Sequence, residues 1–555
     1  MDKRYPHQKN PADYLPQADS ASKLIAIAIT KYTGVWGRNE VTHLLKRTMF
    51  GARKQDVTYF LGMTMDQAVD EILFLPATMP APPLKDYTDV AAGDPDTTVA
   101  YGSTWVNTPT NSSDVDNLRR RSFRTWYMGV LINHDRNIKE KMTLFWHNHF
   151  STEAEVVHYT RFTYRHHDML RRNALGNFKN LVKEITIDPG MLVYLNGNLN
   201  SKEAPDENYA RELQELFTIG KDNPSSYSED DVKNAARVLT GWRYDIDANS
   251  SYFDQSRHDK NDKSFSSFYN NTTITGRGGS DAGNLELDDL LNMIFSKQAE
   301  VSRFMVRKLY RWFVHSNITD TVEQQVIIPL AQVMVDNNWE IKPVLKALFT
   351  SADFYNPINY GALIKSPVDF VVGLLRECNV VLPDAGDFTN TYAHFNNFRM
   401  FADLMSQSLG DPPDVAGWKA YYQKPFFYEM WINSDTYPRR LIFTDEMCDY
   451  GYVVAGKAAM VDRIKFIKTL NNPSDPNMMV KELCEIFFRT DLTQESRDQI
   501  KREILLQGQT NDYYWTELWT SYISSPNDTW LLNTVNDRLR DILKYLMGLA
   551  EYQLM

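Results

Sequence analysis

The sequence has few cysteines and no long apolar run, and both shortages exclude protein classes. Its 555 residues contain three cysteines, Cys378, Cys448 and Cys484, and no CxxC pair. An odd number of widely spaced cysteines excludes a disulfide framework and a thiolate metal site. No stretch approaches the roughly 20 apolar residues that cross a bilayer, so no membrane span is predicted.

Basic residues are also in short supply. The chain has 60 Lys and Arg against 71 Asp and Glu, a net charge of −11. No stretch gathers enough basic residues to attract a phosphate backbone, so nucleic acid is excluded as the expected partner. The apolar stretch at 23–30, KLIAIAIT, lacks the small-residue cleavage pattern of an export signal. The compartment is left open between the cytoplasm and export with a leader already removed, and the oligomeric state is left open too.

Aromatic residues, in contrast, are abundant. The chain contains 28 Phe, 30 Tyr and 12 Trp, which is 13% of its residues, enough for a thick core or an aromatic-lined cleft. Apolar residues recur at helical spacing along most of the chain, whereas the strand-like stretches NVVLPD and TTITG are short and isolated. We therefore predict a mainly α fold, a large multi-helix globular protein with long irregular loops and little or no sheet.

Composition divides the chain into three parts. Residues 1–22 are polar with three prolines and are predicted to be a flexible N-terminal arm. Residues 23–440 are predicted to be a helical domain with loop excursions at 76–115 and 243–284, where Pro, Gly, Thr and Asp accumulate. Residues 441–555 are predicted to be a C-terminal helical region packed on that domain.

The stretch at 140–158, EKMTLFWHNHFSTEAEVVH, contains three histidines. On one helix, His149 shares a face with Phe145 and Met142, while His147 points about 200° away from Phe145. Both rings could approach one atom only if the helix frayed at Asn148. Two interpretations stay open: core histidines bonded to backbone, or metal ligands.

A second polar pattern lies in PDENYARELQELFTIG, residues 205–220. We predict a helix that begins at Asp206 and ends at Gly220. Glu207 and Arg211 are four residues apart on its outer face and are expected to form an exposed ion pair. Glu212 borders the buried stripe, where a carboxylate is costly unless a positive group meets it.

The loop SRHDKNDK, residues 256–263, has few apolar neighbours that would explain His258 and Asp259 by core packing. It is either a surface loop or a lid that delivers a polar side chain to a site. The familiar HExxH, GxSxG, P-loop and paired Glu-x-x-His motifs are absent from the sequence.

An ordered set of segments resembles one bacterial family, catalogued as domain of unknown function 1800. The segments include KMTLFWHNHFST, PDENYARELQELFTIG, YSEDDVKNAARVLTGW, LIKSPVDFVVGLLRE and LGDPPDVAGWKAYY. The resemblance runs from about Glu40 to Arg440 and is less distinct in the last hundred residues. It implies no settled activity. It does imply a sulfatase-like companion protein as a partner, since the genes of the two families are often neighbours.

The resemblance also implies a set of polar signature residues: His147, Asn148, His149, Glu207, Asn208, Arg211, Glu212, His258, Asp259, Lys263, Lys365 and Asp414. One position departs from the family, whose loop usually has the pattern His-Asp-x-Gly-x-Lys. Here the loop is HDKNDK, residues 258–263, without the glycine.

Three hypotheses follow. The first is an enzyme, either a hydrolase or an oxidoreductase, whose polar segments converge in one cleft. Its catalytic residues would be Glu212, His258, Asp259, Arg211 and Lys365, and a divalent metal would be bound by His147, His149 and Glu212. The second is a non-catalytic binding or assembly partner of the sulfatase-like protein or of a glycan. The third is a buried polar network that fixes helix positions.

Overall fold

A computed structural model describes residues 29–88, 93–221, 226–383, 386–418 and 428–555 and confirms the mainly α fold. The predicted N-terminal arm at 1–22 lies outside the described residues. The helices of the first 200 residues are α1 (Arg38–Thr48), α2 (Lys54–Leu61), α3 (Met65–Ile72), α4 (Ser113–Ile132), α5 (Lys139–His149), α6 (Ala154–Val157), α7 (Thr160–Arg172), α8 (Phe178–Thr186) and α9 (Pro189–Tyr194).

The later helices are α10 (Asn208–Glu212), α11 (Glu229–Val238), α12 (Ala282–Phe295), α13 (Gln298–Phe313), α14 (Asp320–Val322), α15 (Ile328–Asp336), α16 (Ile341–Phe349), α17 (Pro367–Glu377), α18 (Phe388–Leu404), α19 (Thr436–Asp449), α20 (Arg463–Ile467), α21 (Pro476–Phe487), α22 (Gln494–Ile500), α23 (Tyr513–Ser524) and α24 (Thr529–Gly548). Short π-helical segments follow α10, α14 and α22 directly, at Leu213–Thr218, Glu323–Ile327 and Lys501–Leu505. Within the described ranges, no helix is long and apolar enough to cross a membrane.

The strands form three separate antiparallel ribbons. Strand β1 (Trp242–Asp245) pairs with β2 (Ser250–Phe253), β3 (Lys263–Ser264) with β4 (Thr273–Ile274), and β5 (Tyr452–Val454) with β6 (Lys457–Ala459). The first two ribbons lie inside the 243–284 stretch that the sequence predicts to be irregular. Each strand is only two to four residues long, so the apolar alternation that marks a strand has no length over which to appear.

Local sequence signals position several helix starts. Thr64 accepts a hydrogen bond from the backbone of Gln67 at the start of α3, and Ser228 does the same with Asp231 at the start of α11. Both are capping boxes, which satisfy amide groups that the helix itself leaves unpaired.

One apolar cluster joins the two ends of the chain. Val41 in α1 and Leu546 in α24 are fully buried members of the same contiguous core. Helix α5 lies inside it, and all eleven of its residues are buried. Because α5 also carries charged and polar side chains, each of those must find a partner within the protein. The partners of its last three residues define the site described next.

Candidate functional site

The last three side chains of α5, those of His147, Asn148 and His149, each bond the backbone of a different distant segment. The Nε2 atom of His147 lies 3.3 Å from the carbonyl oxygen of Thr152. The amide oxygen of Asn148 accepts a 2.9 Å hydrogen bond from the backbone N–H of Trp418. The Nε2 atom of His149 lies 3.1 Å from the carbonyl oxygen of Phe217.

Each of these three segments carries one carboxylate. Glu153 follows Thr152, Asp414 lies in the loop that ends at Trp418, and Glu212 ends the α-helix that leads into Phe217. All three carboxylates are partly exposed. We call Glu153, Glu212, Asp414 and the neighbouring Tyr194 the acidic site.

Tyr194 connects the members of the acidic site. Its hydroxyl group donates a 2.8 Å hydrogen bond to Glu153. Burial, that bond and the nearby charges of Glu153 and Asp414 raise the pKa of Tyr194 above its ordinary value. The charge of Asp414 also raises the pKa of Glu212. Asp414 is therefore close enough to act on both groups.

The loop that carries Asp414 is clamped against α4 and α6. The backbone N–H of Ala154 donates to the carbonyl oxygen of Gly410 at 3.1 Å, and Arg124 forms a 2.6 Å ion pair with Asp411. At Gly417, φ is +91° and an added Cβ would lie 2.3 Å from the backbone oxygen of Asn148. Only glycine fits this close approach at positive φ.

The chain around Glu212 departs from regular helix. Helix α10 ends at Glu212 and continues as the π-helical turn Leu213–Thr218, an arrangement that is frequent at functional sites. The predicted helix over 205–220 thus forms with its last turn widened. The predicted ion pair between Arg211 and Glu207 is confirmed at 3.1 Å, and Arg211 also pairs with Glu229 at 2.7 Å.

Glu212 itself has neither a hydrogen bond nor an ion pair with any residue that the structure describes. Burial raises the pKa of its carboxyl group to about 7, the charges of Glu215 and Asp414 add to the effect, and the charge of Arg211 only partly opposes it. Because Arg211 is engaged by two other carboxylates, the positive partner that the sequence leads one to expect for Glu212 is turned elsewhere.

His149 is paired on both ring nitrogens. Its Nδ1 atom lies 3.1 Å from the amine of Lys308, which also donates to the carbonyl oxygen of Leu216. Burial and the charge of Lys308 lower the pKa of His149 well below its ordinary value. This histidine is a neutral ring that fixes the π-helical turn, and no contact joins it directly to Glu212 in the described part of the chain.

Two further histidines, His166 and His167 on α7, complete a buried group around His147. The His167 ring lies 4.2 Å from that of His147, and His166 sits between the Asp188 carboxylate at 3.0 Å and the Phe150 carbonyl at 3.1 Å. Sequence reasoning missed both, although the adjacent pair HH on an amphipathic helix is a signal that it could have used. Burial, with a contribution from His166, lowers the pKa of His147 to about 3.

The structure describes no group of three or more His, Cys, Asp or Glu side chains arranged to hold a metal ion. The proposed ligands His147 and His149 bond different backbone carbonyls, as above, rather than a common centre. Their role as metal ligands with Glu212 stays a prediction.

The loop residues His258 and Asp259 belong to a second polar network. The Nε2 atom of His258 lies 3.0 Å from the carboxylate of Glu286, which also accepts a 2.6 Å hydrogen bond from Lys263. Asp259 forms a 2.7 Å ion pair with Arg237. The loop is therefore tied to α11 and α12, and the structure shows no contact between it and the acidic site in the described ranges.

Lys365 lies in a third place. It is 5% exposed and its amine stands 3.8 Å from the centre of the Tyr552 ring. Burial and the charge of Lys46 lower the pKa of Lys365 to about 7. The predicted site residues thus fall into three groups: His147, His149, Arg211 and Glu212 around the acidic site, His258 and Asp259 on the loop, and Lys365 in the core.

Comparison with known proteins supports the resemblance drawn from the segments. The chain matches the family described as "Protein of unknown function (DUF1800)" over residues 43–554, so the match extends through the last hundred residues, where the segments are less distinct. No curated protein and no solved structure matches the chain. The match covers nearly the whole chain, and the protein belongs to this family of unknown function.

Proposed function

We propose that the protein is an enzyme, a hydrolase that uses Glu212 of the acidic site as its general acid and base. The observation that carries the proposal is the environment of Glu212. Its carboxyl group is partly buried beside other carboxylates and has no pairing partner among the described residues. A carboxylate is costly in such a place, and unpaired acids of this kind are found where proton transfer needs them.

The pKa of about 7 for Glu212 suits that role. A group that titrates near neutral pH can both donate and accept a proton at useful rates. Glu212 is also partly exposed, so a substrate can reach it. Tyr194 and Asp414 would orient the substrate or the attacking water, with the three segments held in register by the α5 side chains.

The charge of the site limits the substrate. Carboxylates at Glu153, Glu212 and Asp414 disfavour anionic substrates and favour uncharged polar ones. Glycoside hydrolysis is the reaction that fits most directly, because it uses one protonated and one ionised carboxyl group on either side of the bond. An uncharged glycan is therefore the proposed substrate class, and Asp414 the proposed second carboxyl group.

The test is a hydrolysis screen on uncharged chromogenic glycosides and esters with the wild type, Glu212→Gln and Glu215→Gln. Glu215 is a matched control because it neighbours Glu212 on the same helix but pairs with Lys221. We expect the wild type and the control to be active and Glu212→Gln to lose about 10²–10⁴-fold in kcat. Repeating the screen with EDTA and with added divalent ions tests the predicted metal.

Two results would contradict the proposal. One is hydrolysis that Glu212→Gln leaves unchanged. The other is glycan binding by the wild type without turnover, which would favour the non-catalytic binding alternative instead.

A further inference from the structure

The core around Lys365 contains five basic side chains that are almost completely buried. Their exposed fractions are 2% for Lys46, 0% for Arg47, 2% for Lys141, 5% for Lys365 and 0% for Arg440. We call these five residues the cation cluster. They come from α1, α5, α19 and the segment before α17, so the fold brings them together from across the sequence.

Two buried carboxylates accompany the cluster within the described residues. Asp369 bonds Lys141, and its charge also acts on Arg47, Lys365 and Arg440. Glu377 pairs with Lys46 at 2.5 Å and is 1% exposed. Five positive charges face two negative ones, which leaves an excess of three.

The acids at the edge of the cluster have other partners. Glu40 and Asp491 act on Arg489, a sixth basic side chain that is 6% exposed. Asp353 accepts a 3.0 Å hydrogen bond from Tyr310. These groups do not neutralise the interior excess.

Several donors of the cluster have no hydrogen-bond partner among the described residues. They are Nε and Nη1 of Arg47 and Nε of Arg440. Arginine stays protonated in proteins, so these guanidinium groups are charged, buried and only partly satisfied. Burying an unpaired charge is among the most costly things that a protein can do, and native proteins compensate it.

We propose that the cation cluster binds a small tetrahedral oxyanion, phosphate or sulfate. Arg and Lys donors match the oxygens of such an ion, and a doubly charged ion would offset most of the excess. The N-terminus of α17, which begins at Pro367 two residues after Lys365, adds a favourable helix dipole. The proposal is independent of the acidic site and stands or falls separately from it.

The electrostatics of the cluster agree with this assignment. Burial lowers the pKa of Arg47 and of Arg440 to about 9, and that of Lys365 to about 7. Values this low show how poorly the interior carboxylates compensate the basic groups. A bound dianion would raise all three.

The first test uses the unmodified protein. Ion chromatography of acid-denatured protein, after exhaustive dialysis into chloride buffer, should release up to one phosphate or sulfate per chain. Thermal unfolding with added sodium phosphate, or with sodium sulfate, should show a Tm that rises with the logarithm of its concentration above Kd. Sodium chloride at matched ionic strength should give no such rise. The two salts distinguish which oxyanion binds more tightly.

The second test removes one charge. In Lys365→Met, the oxyanion should bind about ten- to a hundredfold more weakly, and the Tm in chloride buffer should rise because the charge excess falls. Lys308→Met is the matched control. Lys308 also has a pKa lowered by burial to about 7, but it bonds His149 outside the cluster. Its replacement should leave oxyanion binding unchanged.

Absence of released ion together with equal effects of phosphate, sulfate and chloride on wild-type Tm overturns the proposal. That result needs no variant, so a Lys365→Met protein that fails to fold does not obscure it. A Lys365→Met protein that folds and keeps full oxyanion binding also overturns it.

Discussion

The network around Glu286 gives the sharpest stability prediction. Glu286 is fully buried and accepts hydrogen bonds from His258 at 3.0 Å, from Lys263 at 2.6 Å and from the backbone N–H of Arg277 at 2.7 Å. Lys263 is also fully buried. The change Glu286→Gln removes the only ion-pair partner that the described residues give Lys263, and we expect it to cost about 3–5 kcal/mol of unfolding free energy.

A double-mutant cycle isolates the cause. Lys263→Met alone should also destabilise, because it leaves the Glu286 carboxylate with one fewer donor. The double variant leaves no unpaired charge, so its loss should be smaller than the sum of the single losses by about 2–3 kcal/mol. Urea unfolding followed by tryptophan fluorescence at pH 7 measures all four proteins. Strictly additive losses, or a Glu286→Gln loss below about 1 kcal/mol, would refute the reasoning.

The pH dependence of the same cycle has a definite sign. Burial alone would raise the pKa of Glu286, but the bonds from His258 and Lys263 outweigh it and the pKa is lowered. A lowered folded pKa means that the ionised group stabilises the protein above its unfolded pKa of about 4.5. The stability difference between the wild type and Glu286→Gln should therefore be largest near neutral pH and shrink as the pH falls below about 4.5.

Two further changes test the packing around the site. Gly417→Ala should cost at least about 2 kcal/mol, because it adds a clash with the Asn148 backbone to the strain of positive φ; Gly456→Ala, which has positive φ but no atom within 4 Å of an added Cβ, should lose less Tm, and equal losses would contradict the clash. Glu140→Gln should cost about 3–5 kcal/mol, since Glu140 holds buried Arg171 through bonds of 2.7 and 2.9 Å; a change in Tm no larger than for an exposed ion pair would argue against it.

Much of the local structure could be predicted from sequence. The mainly α fold, the caps at Thr64 and Ser228 and the Glu207–Arg211 pair all depend on residues within four positions of one another. Such patterns are visible in a single sequence because helix geometry fixes which neighbours meet.

The assembly of the acidic site could not be predicted in this way. The bonds from α5 reach across 68 residues to Phe217 and 270 residues to Trp418, and nothing in a local pattern encodes such distances. Composition identified Glu212 as a costly carboxylate. It did not show that Arg211 turns to other acids, nor that the turn after Glu212 is π-helical.

The cation cluster shows the same limit more strongly. Lys46 and Glu377 are 331 positions apart, and the family signature contains Lys365 without indicating which groups surround it. Burial of charge is a property of the folded interior, so only coordinates reveal an excess.

The central claim, that Glu212 is a protonatable acid at neutral pH, is tested most directly by the pH dependence of stability. Raising its pKa from 4.5 to about 7 corresponds to about 3 kcal/mol against the ionised form, which solvent screening at this partly exposed position reduces to about 1–2 kcal/mol. Since the folded pKa is raised, ionisation weakens the fold as the pH rises from 4.5 to 7.

Thermal unfolding of the wild type, Glu212→Gln and the exposed control Glu495→Gln between pH 4.5 and 8.5 measures this effect. The account predicts that Glu212→Gln gains Tm over the wild type progressively from pH 4.5 to 7 and keeps that gain above pH 7, while the control follows the wild type. A difference between Glu212→Gln and the wild type that does not change with pH would contradict it.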